Sequence, residues 1–185
     1  MFNRDLLLID IETTGLDVNR HEIIQLAAVL LDRKTLKEKK SFVFYARPTK
    51  WRARDRESMA VNKIIWEMVK TAPSLKSVLR KFNRMFGKNA IFSHYAGIMD
   101  ITFMQRAYEK SRMRWPFDHH YFNIWGLFYT FLALKNKLKS RKQFAGFGLE
   151  DCLKYFKIAV PGNLHDALVD CRMEAEVLRR VIKNI

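Results

Sequence analysis

Cysteine is scarce in this chain, with only Cys152 and Cys171 among 185 residues. The two form no C-x-x-C pair and have no pair of histidines nearby, so the sequence gives no support for a zinc site. Two isolated thiols are typical of a protein in a reducing compartment. No signal peptide is visible at the N-terminus. We therefore expect a cytoplasmic protein without zinc.

Long apolar runs and linkers are also missing. The longest apolar stretch, Trp125 to Leu134, is too short to cross a bilayer, so no membrane partner is expected. The chain contains 7 Gly and 4 Pro, with no internal repeat and no Pro/Gly/Ser-rich segment that would separate two domains. Hydrophobic residues make up 49% of the sequence, which is enough for a buried core. These features predict one domain over residues 1–185.

Acidic residues are few compared with basic ones. The 34 Lys and Arg residues against 19 Asp and Glu give a formal net charge of +15. Such a surplus favours a polyanionic partner, nucleic acid before an anionic membrane, over a surface that is basic only for solubility. Three basic segments could follow a phosphate backbone or could equally be solvated loops: 34–40, 52–56 and 135–142.

The apolar residues follow strand periodicity in some segments and helix periodicity in others, which predicts an α/β fold. We expect a mixed five-stranded sheet, with a three-strand antiparallel meander followed by two parallel strands, flanked by helices. Strands are predicted at Leu6–Asp10, Glu22–Asp32, Lys39–Ala46, Ala90–His94 and Tyr121–Ile124. Helices are predicted at Glu57–Val69, Leu75–Phe86, Ile101–Lys110, Trp125–Leu134, Gly148–Phe156 and Asp166–Ile182.

The first predicted strand leads into two carboxylates. The apolar run from Leu6 to Ile9 indicates a buried strand, and Asp10 and Glu12 follow two residues apart. Side chains two apart on a strand share a face, so the two anions would repel each other unless a cation lay between them. Hard divalent ions such as Mg²⁺ and Mn²⁺ take oxygen ligands of this kind. Two solvated acids at a strand end would be the ordinary alternative.

Three further residues could complete such a site. Asp100 lies between a predicted strand and a predicted helix, His165 at a predicted helix entry, and Asp170 one turn inside that helix. Taken alone, each has an ordinary explanation: a helix N-terminal acid, a capping residue and an ion-pair partner, respectively. Their joint occurrence after Asp10 and Glu12, in this order, favours the functional interpretation.

With these residues the chain resembles the DEDDh family of 3′–5′ exonucleases, which includes proofreading subunits and has a ribonuclease H-like fold. The segment D-I-E-T-T-G-L that begins at Asp10 is similar to the first family motif, and Asp100 matches the acid of the second. His165-x-x-x-x-Asp170 matches the third motif, and its spacing separates this branch from the tyrosine branch. The second motif is one residue longer than the usual H-N-x-x-F-D form and has Tyr95 in place of Asn.

The resemblance implies hydrolysis of single-stranded 3′ ends to nucleoside 5′-monophosphates, with two Mg²⁺ or Mn²⁺ ions as cofactors. The residues implied as metal ligands are Asp10, Glu12, Asp100 and Asp170. The implied general base is His165. The residues implied to contact the substrate are Thr13, Thr14 and Leu16. His94 and Phe103 are candidate pocket neighbours, with a place in the core or behind the site as the ordinary alternative.

The exact substrate and the partners stay open at this point. DNA is favoured over RNA because the first motif is of the proofreading type. A 3′–5′ exoribonuclease is one alternative, and a non-catalytic nucleic-acid-binding module on the same fold is another. A polymerase or a repair protein could be a partner. His119 and His120 are interpreted as structural, since neighbouring side chains on a strand point to opposite faces.

Overall fold

A computed structural model describes residues 2–86, 89–95, 98–138, 148–162 and 164–185. Its strands are β1 (Asp5–Thr13), β2 (Ile23–Leu31), β3 (Glu38–Tyr45), β4 (Ala90–His94) and β5 (Phe122–Asn123). They form one five-stranded sheet in the order β3-β2-β1-β4-β5. β1, β2 and β3 pair antiparallel, whereas β4 lies parallel to β1 and β5 lies parallel to β4. The predicted mixed sheet, a meander followed by two parallel strands, is confirmed.

Helices cover both faces of this sheet. They are α1 (Arg56–Asn62), α2 (Trp66–Val69), α3 (Leu75–Phe86), α4 (Met99–Lys110), α5 (Ile124–Leu134), α6 (Leu149–Phe156) and α7 (Ala167–Asn184), with a short 3₁₀ helix at Trp51–Ala53. Helices α3 and α4 pack on one face, and α5, α6 and α7 pack on the other. None of the helices in the described ranges combines the length and the apolar character needed to cross a membrane.

The central strand β1 is buried on both faces, which explains its continuous apolar run. Its odd-numbered apolar residues pack with α3 and α4, whereas Leu6 and Leu8 pack with α5, α6 and α7. Because side chains alternate along a strand, Asp10 and Glu12 continue the row of Leu6 and Leu8. The two carboxylates therefore lie on the α7 side of the sheet.

Two boundaries near these carboxylates differ from the prediction. β1 continues beyond Asp10 to Thr13, since β2 pairs with it up to that residue. α4 begins at Met99 instead of Ile101, so Asp100 lies in its first turn instead of before it. Sequence periodicity did not find these boundaries, because polar residues interrupt the apolar pattern at both positions.

The predicted helix Glu57–Val69 is wrong as a single element, because it is divided into α1 and α2. Lys63 ends α1 in the left-handed conformation, with φ 57°. The Asn62 side chain accepts a hydrogen bond from Ile64 N at 3.0 Å and so stabilises the break. The other predicted elements agree with the structure within about two residues. Residues 96–97 of the second motif and residues 139–142 of the third basic segment lie outside the described residues.

Candidate active site

The N-terminus of α7 brings two of the predicted residues to the carboxylates of β1. Asp166 is the N-cap of α7, and its side chain accepts hydrogen bonds from the backbone N–H groups of Leu168 and Val169. His165 precedes this cap in a left-handed conformation, with φ 67°. Asp170 lies one turn into the helix, and its Oδ2 accepts a hydrogen bond from His165 N at 3.0 Å. The H-x-x-x-x-D spacing thus closes a loop that fixes both residues.

Glu12, His165 and Asp170 meet at this point. Each offers one ligand atom, and these three atoms lie within 4.8 Å of one another. Glu12 and Asp170 are far apart in the sequence, so only the tertiary fold brings their ligand atoms together. Three ligand atoms at such distances can surround one small cation.

Gln25 joins β2 to the beginning of α7, and sequence reasoning missed it. Gln25 lies directly opposite Glu12 in the antiparallel pair and is 2% exposed. Its Oε1 accepts a hydrogen bond from Ala167 N at 3.2 Å. This bond satisfies one of the free N–H groups at the start of α7. It also fixes the start of α7, which carries Asp170, relative to Glu12. An isolated Gln in an otherwise apolar strand was the available signal.

Asn62, at the end of α1, supports the same carboxylate from the other side. Its Nδ2 donates a hydrogen bond to Thr13 O at 3.0 Å, next to Glu12, and its amide acts to lower the pKa of Glu12 against the effect of burial. Asn62 is 7% exposed, so this bond is shielded from water. No spacing rule connects a helix end fifty residues away to β1, so the sequence could not have assigned this contact.

Asp100 and Glu174 form the inner part of the cluster. Asp100 lies in the first turn of α4 and is 9% exposed. Glu174 lies on α7, is 2% exposed, and was not among the predicted site residues. The negative charges of both side chains act on Asp10. A signal for Glu174 was present, since it is four residues after Asp170, in phase with the apolar residues of the predicted helix.

Burial and mutual repulsion raise the pKa values of these acids. Burial is the larger cause for Asp10, whose pKa is raised well above its usual range, with the charges of Asp100, Glu174, Glu12 and Asp170 adding to it. Burial, followed by the charges of Asp170 and Asp100, raises the pKa of Glu12 to about 8. Burial alone raises the pKa of Asp100 to about 7. Burial also raises the pKa of Asp170, against the hydrogen bond from His165 N.

Among the described residues, the cluster has no Lys or Arg partner, and its ligand atoms fit divalent ions. Within the part of the chain that the structure describes, no Lys or Arg forms an ion pair with Asp10, Glu12, Asp100 or Asp170. Asp170 Oδ1 is buried without a hydrogen-bond partner. A carboxylate set with an unpartnered buried oxygen is the donor chemistry that Mg²⁺ and Mn²⁺ prefer. The residues therefore fit the predicted metal ions.

The predicted substrate-contacting residues lie at and beyond the end of β1. Thr13 and Thr14 are buried, and their hydroxyls bond within the turn: Thr13 Oγ1 donates to Gly15 O at 2.7 Å, and Thr14 Oγ1 accepts from Glu22 N at 3.0 Å. Leu16, in contrast, is 71% exposed. The contacts of these residues with a substrate stay predictions.

His94 and Phe103 are both buried. His94 ends β4 and pairs with Asn123 of β5. Phe103 belongs to the core on the α3–α4 face, opposite Asp10 and Glu12, where it lines a cavity of about 300 Å³ together with Val18 and His21. Their predicted role as pocket neighbours stays a prediction.

The interpretation of His119 and His120 as strand residues that point to opposite faces is wrong. Both lie outside the strands, and their rings lie side by side with centroids 3.9 Å apart. Their Nδ1 atoms approach the Asp118 carboxylate at 3.5 and 2.6 Å. A turn joined by Asp118, and not strand pleating, sets their directions.

One basic segment is joined directly to the turn after β1. The guanidinium of Arg54 lies over the Trp51 ring, 5.0 Å from its centroid. Asp55 N then donates a hydrogen bond to Thr14 O at 2.7 Å. A cation and an aromatic ring are therefore held close to the end of β1.

Known proteins are similar to most of this chain. Residues 7–178 match a family model described as exonuclease. Curated relatives include DNA polymerase III subunit epsilon of Rickettsia prowazekii, 28% identical over 179 residues, with 92% of this chain and 71% of the relative covered. The subunit of the same name from Aquifex aeolicus is 26% identical, with 97% of this chain and 81% of the relative covered.

Solved structures show the same fold. Cell-death related nuclease 4 superposes with a TM-score of 0.83 at 23% identity, over 97% of this chain and 64% of that one. The nuclease domain of 3′hExo, a DEDDh family member bound to rAMP, has a TM-score of 0.75 at 23% identity, over 97% and 92% of the two chains. E. coli Exonuclease I in complex with a dT13 oligonucleotide has a TM-score of 0.82 at 17% identity, over 98% and 42%.

Proposed function

The chain belongs to the exonuclease family, whose model it matches over residues 7–178, and we propose that it is a divalent-metal-dependent 3′–5′ exonuclease acting on single-stranded ends. The observation that carries the proposal is the cluster of Asp10, Glu12, Asp100 and Asp170, with which no Lys or Arg of the described residues forms an ion pair. A protein that only bound nucleic acid would gain nothing from such a repulsive cluster, which argues against the non-catalytic alternative.

Family membership confirms the resemblance predicted from the motifs and the predicted enzyme class, exonuclease. The predicted ribonuclease H-like fold is confirmed by the sheet order and by the solved exonuclease structures with the same fold. The metal, the strand preference and the choice between DNA and RNA belong to the proposal.

The carboxylates would hold the ions, and His165 would move the proton. When bound by Asp10, Glu12, Asp100 and Asp170, Mg²⁺ or Mn²⁺ would supply positive charge to the scissile phosphate and make a water more acidic. His165 lies beside Glu12 and Asp170, at the exposed rim of the cluster. His165 is therefore placed to take a proton from the attacking water as a general base.

The surroundings supply a surface for the strand. Leu16 is exposed in the turn after β1 and offers an apolar contact to a terminal base. Arg54 on Trp51, close to Thr14, offers charge and an aromatic face, as single-strand binding surfaces do. The net charge of +15 supports binding to a phosphate backbone.

DNA is the proposed substrate, because the curated relatives are named DNA polymerase III subunit epsilon. The same names support a polymerase as a partner. RNA is the second candidate, since one neighbouring structure is a 3′-exonuclease that recognises a histone mRNA stem-loop and another holds rAMP. The shape of the pocket around a 2′ hydroxyl would decide between them.

The proposal is tested with oligonucleotides labelled at the 3′ or the 5′ end, as DNA and as RNA, single- and double-stranded, at one salt concentration. We expect stepwise loss from the 3′ end with Mg²⁺ or Mn²⁺ and none with EDTA. Asp170→Asn should remove this activity, whereas Asp118→Asn, an exposed acid outside the cluster, should keep it. Cleavage that persists in EDTA, or digestion from the 5′ end, would contradict the proposal.

A further inference from the structure

Glu174 occupies a core position of α7. The buried stripe of this helix includes Cys171, Leu178 and Val181, which pack against β1 and β2. Glu174 lies in the middle of the stripe and is 2% exposed. Glutamate is almost never fully buried unless it is paired, because removing a carboxylate from water costs several kcal/mol. A specific partner is therefore expected.

The part of the chain that the structure describes does not supply that partner. Glu174 Oε2 is buried without a hydrogen-bond partner. In the described residues, no Lys, Arg or His nitrogen forms an ion pair with Glu174. The charged groups that act on it are Asp100 and Asp170, and its own charge acts on Asp10. All of these are acids, so the missing component is positive charge.

The position of Glu174 on the helix directs it toward the cluster. Residues four apart lie on the same face of a helix, about 6 Å apart along its axis. Asp170 and Glu174 have this relation, with Asp170 at the rim beside Glu12 and Glu174 one turn farther into the core. Each of the two side chains has one buried carboxylate oxygen without a partner.

We propose that Glu174 is a fifth carboxylate of the divalent-cation site and binds on its inner side, where Asp10 and Asp100 lie. The proposal rests on the metal dependence proposed above and adds a ligand that the sequence motifs do not contain. Its extra charge holds the cations more tightly, and in the absence of cations it destabilises the fold.

Glu174→Gln tests the proposal, because glutamine keeps the size of the side chain and removes its charge. Mn²⁺ binding is measured by titration calorimetry, and the melting temperature is measured with EDTA and with Mn²⁺. We expect Mn²⁺ to bind at least about tenfold more weakly than to the wild type, the change typical of losing a group in a metal site. With EDTA, the variant should melt at a higher temperature than the wild type.

Glu176→Gln is the matched control. Glu176 lies on the same helix and pairs with Arg179 and Arg180 outside the cluster. This variant should bind Mn²⁺ like the wild type and should not melt at a higher temperature in EDTA. A second variant, Glu174→Asp, keeps the charge and withdraws the carboxylate by one methylene. It should weaken Mn²⁺ binding while the fold is kept, and it decides the question if Glu174→Gln does not fold.

Failure of this inference can be distinguished from failure of the proposed function. If Glu174→Gln and Glu174→Asp bind Mn²⁺ like the wild type while Asp170→Asn does not, Glu174 is only a buried neutral acid, and the inference is wrong while the proposed function stands. If the wild type itself binds no divalent ion, both are wrong.

Discussion

Ala167 N donates a hydrogen bond to Gln25 Oε1 across 3.2 Å, and this bond joins the first residue of α7 to the strand β2. Gln25 lies opposite Glu12 in the sheet, so the bond also sets the position of the α7 carboxylates relative to those of β1. The carboxylate cluster is thus held in part by a buried contact between segments that are 142 residues apart.

Gln25→Leu should damage the site without abolishing the fold. The substitution leaves Ala167 N buried without an acceptor, which costs about 1–3 kcal/mol. We expect a fall of this size in the free energy of unfolding, measured by urea denaturation. Exonuclease kcat should fall as well, since α7 is no longer fixed beside Glu12. Gln105→Leu, which removes an exposed bond to Tyr121, should change neither quantity much.

His165→Gln should separate proton transfer from cation binding. Loss of a general base lowers the rate by about 10²–10⁴-fold. We expect kcat to fall by this factor, while the four carboxylates and the backbone bond from residue 165 to Asp170, and with them cation binding, are kept. His119→Gln, at an exposed position outside the site, is the control. Unchanged kcat in His165→Gln would refute the assigned role.

The metal-free protein should lose stability as pH rises from about 4 to about 8. In the folded state, burial and neighbouring charges raise the pKa of Glu12 from 4.5 to about 8. Burial raises the pKa of Asp100 from 3.8 to about 7. The folded protein therefore holds protons that the unfolded chain has released across this range, so its stability is greatest below pH 4 for these groups and decreases above it.

Thermal denaturation in EDTA over this pH range measures the effect. Each unit of pKa difference corresponds to about 1.4 kcal/mol, so the total loss should be several kcal/mol. Mn²⁺ binds the charged carboxylates and should offset the loss near pH 8. Equal pH dependence with and without Mn²⁺ would speak against cation binding by the cluster.

Gly15→Ala should distort the turn after β1. Gly15 has φ +156°, and a Cβ at this position would lie 2.4 Å from the His21 ring. That ring is held in place because its Nδ1 accepts a hydrogen bond from Asp17 N at 3.0 Å. We expect lower stability and a raised KM for single-stranded DNA, since Thr13, Thr14 and Leu16 would move. Gly162→Ala is the comparison variant. Gly162 also has a positive φ, +115°, but its added Cβ would meet only Val169, at 3.8 Å, so this variant tests backbone strain without the clash.

The order of strands and helices could be predicted from the sequence because it depends on local periodicity. The apolar run before Asp10, the helical spacing of Leu75–Phe86 and the strand Ala90–His94 each report their own neighbourhood, and the structure agrees with them. The break at Lys63 was missed, because a left-handed residue there depends on bonds that Asn62 makes to Ile64 and to Thr13, far along the chain.

The sequence by itself determined how the candidate residues are spaced, since the positions of Asp10 and Glu12 on a strand and of His165 and Asp170 across a helix start follow from backbone geometry alone. The tertiary structure alone decided which other side chains reach them. Gln25, Asn62 and Glu174 belong to the site through packing and long-range hydrogen bonds, and such contacts have no fixed spacing in a chain.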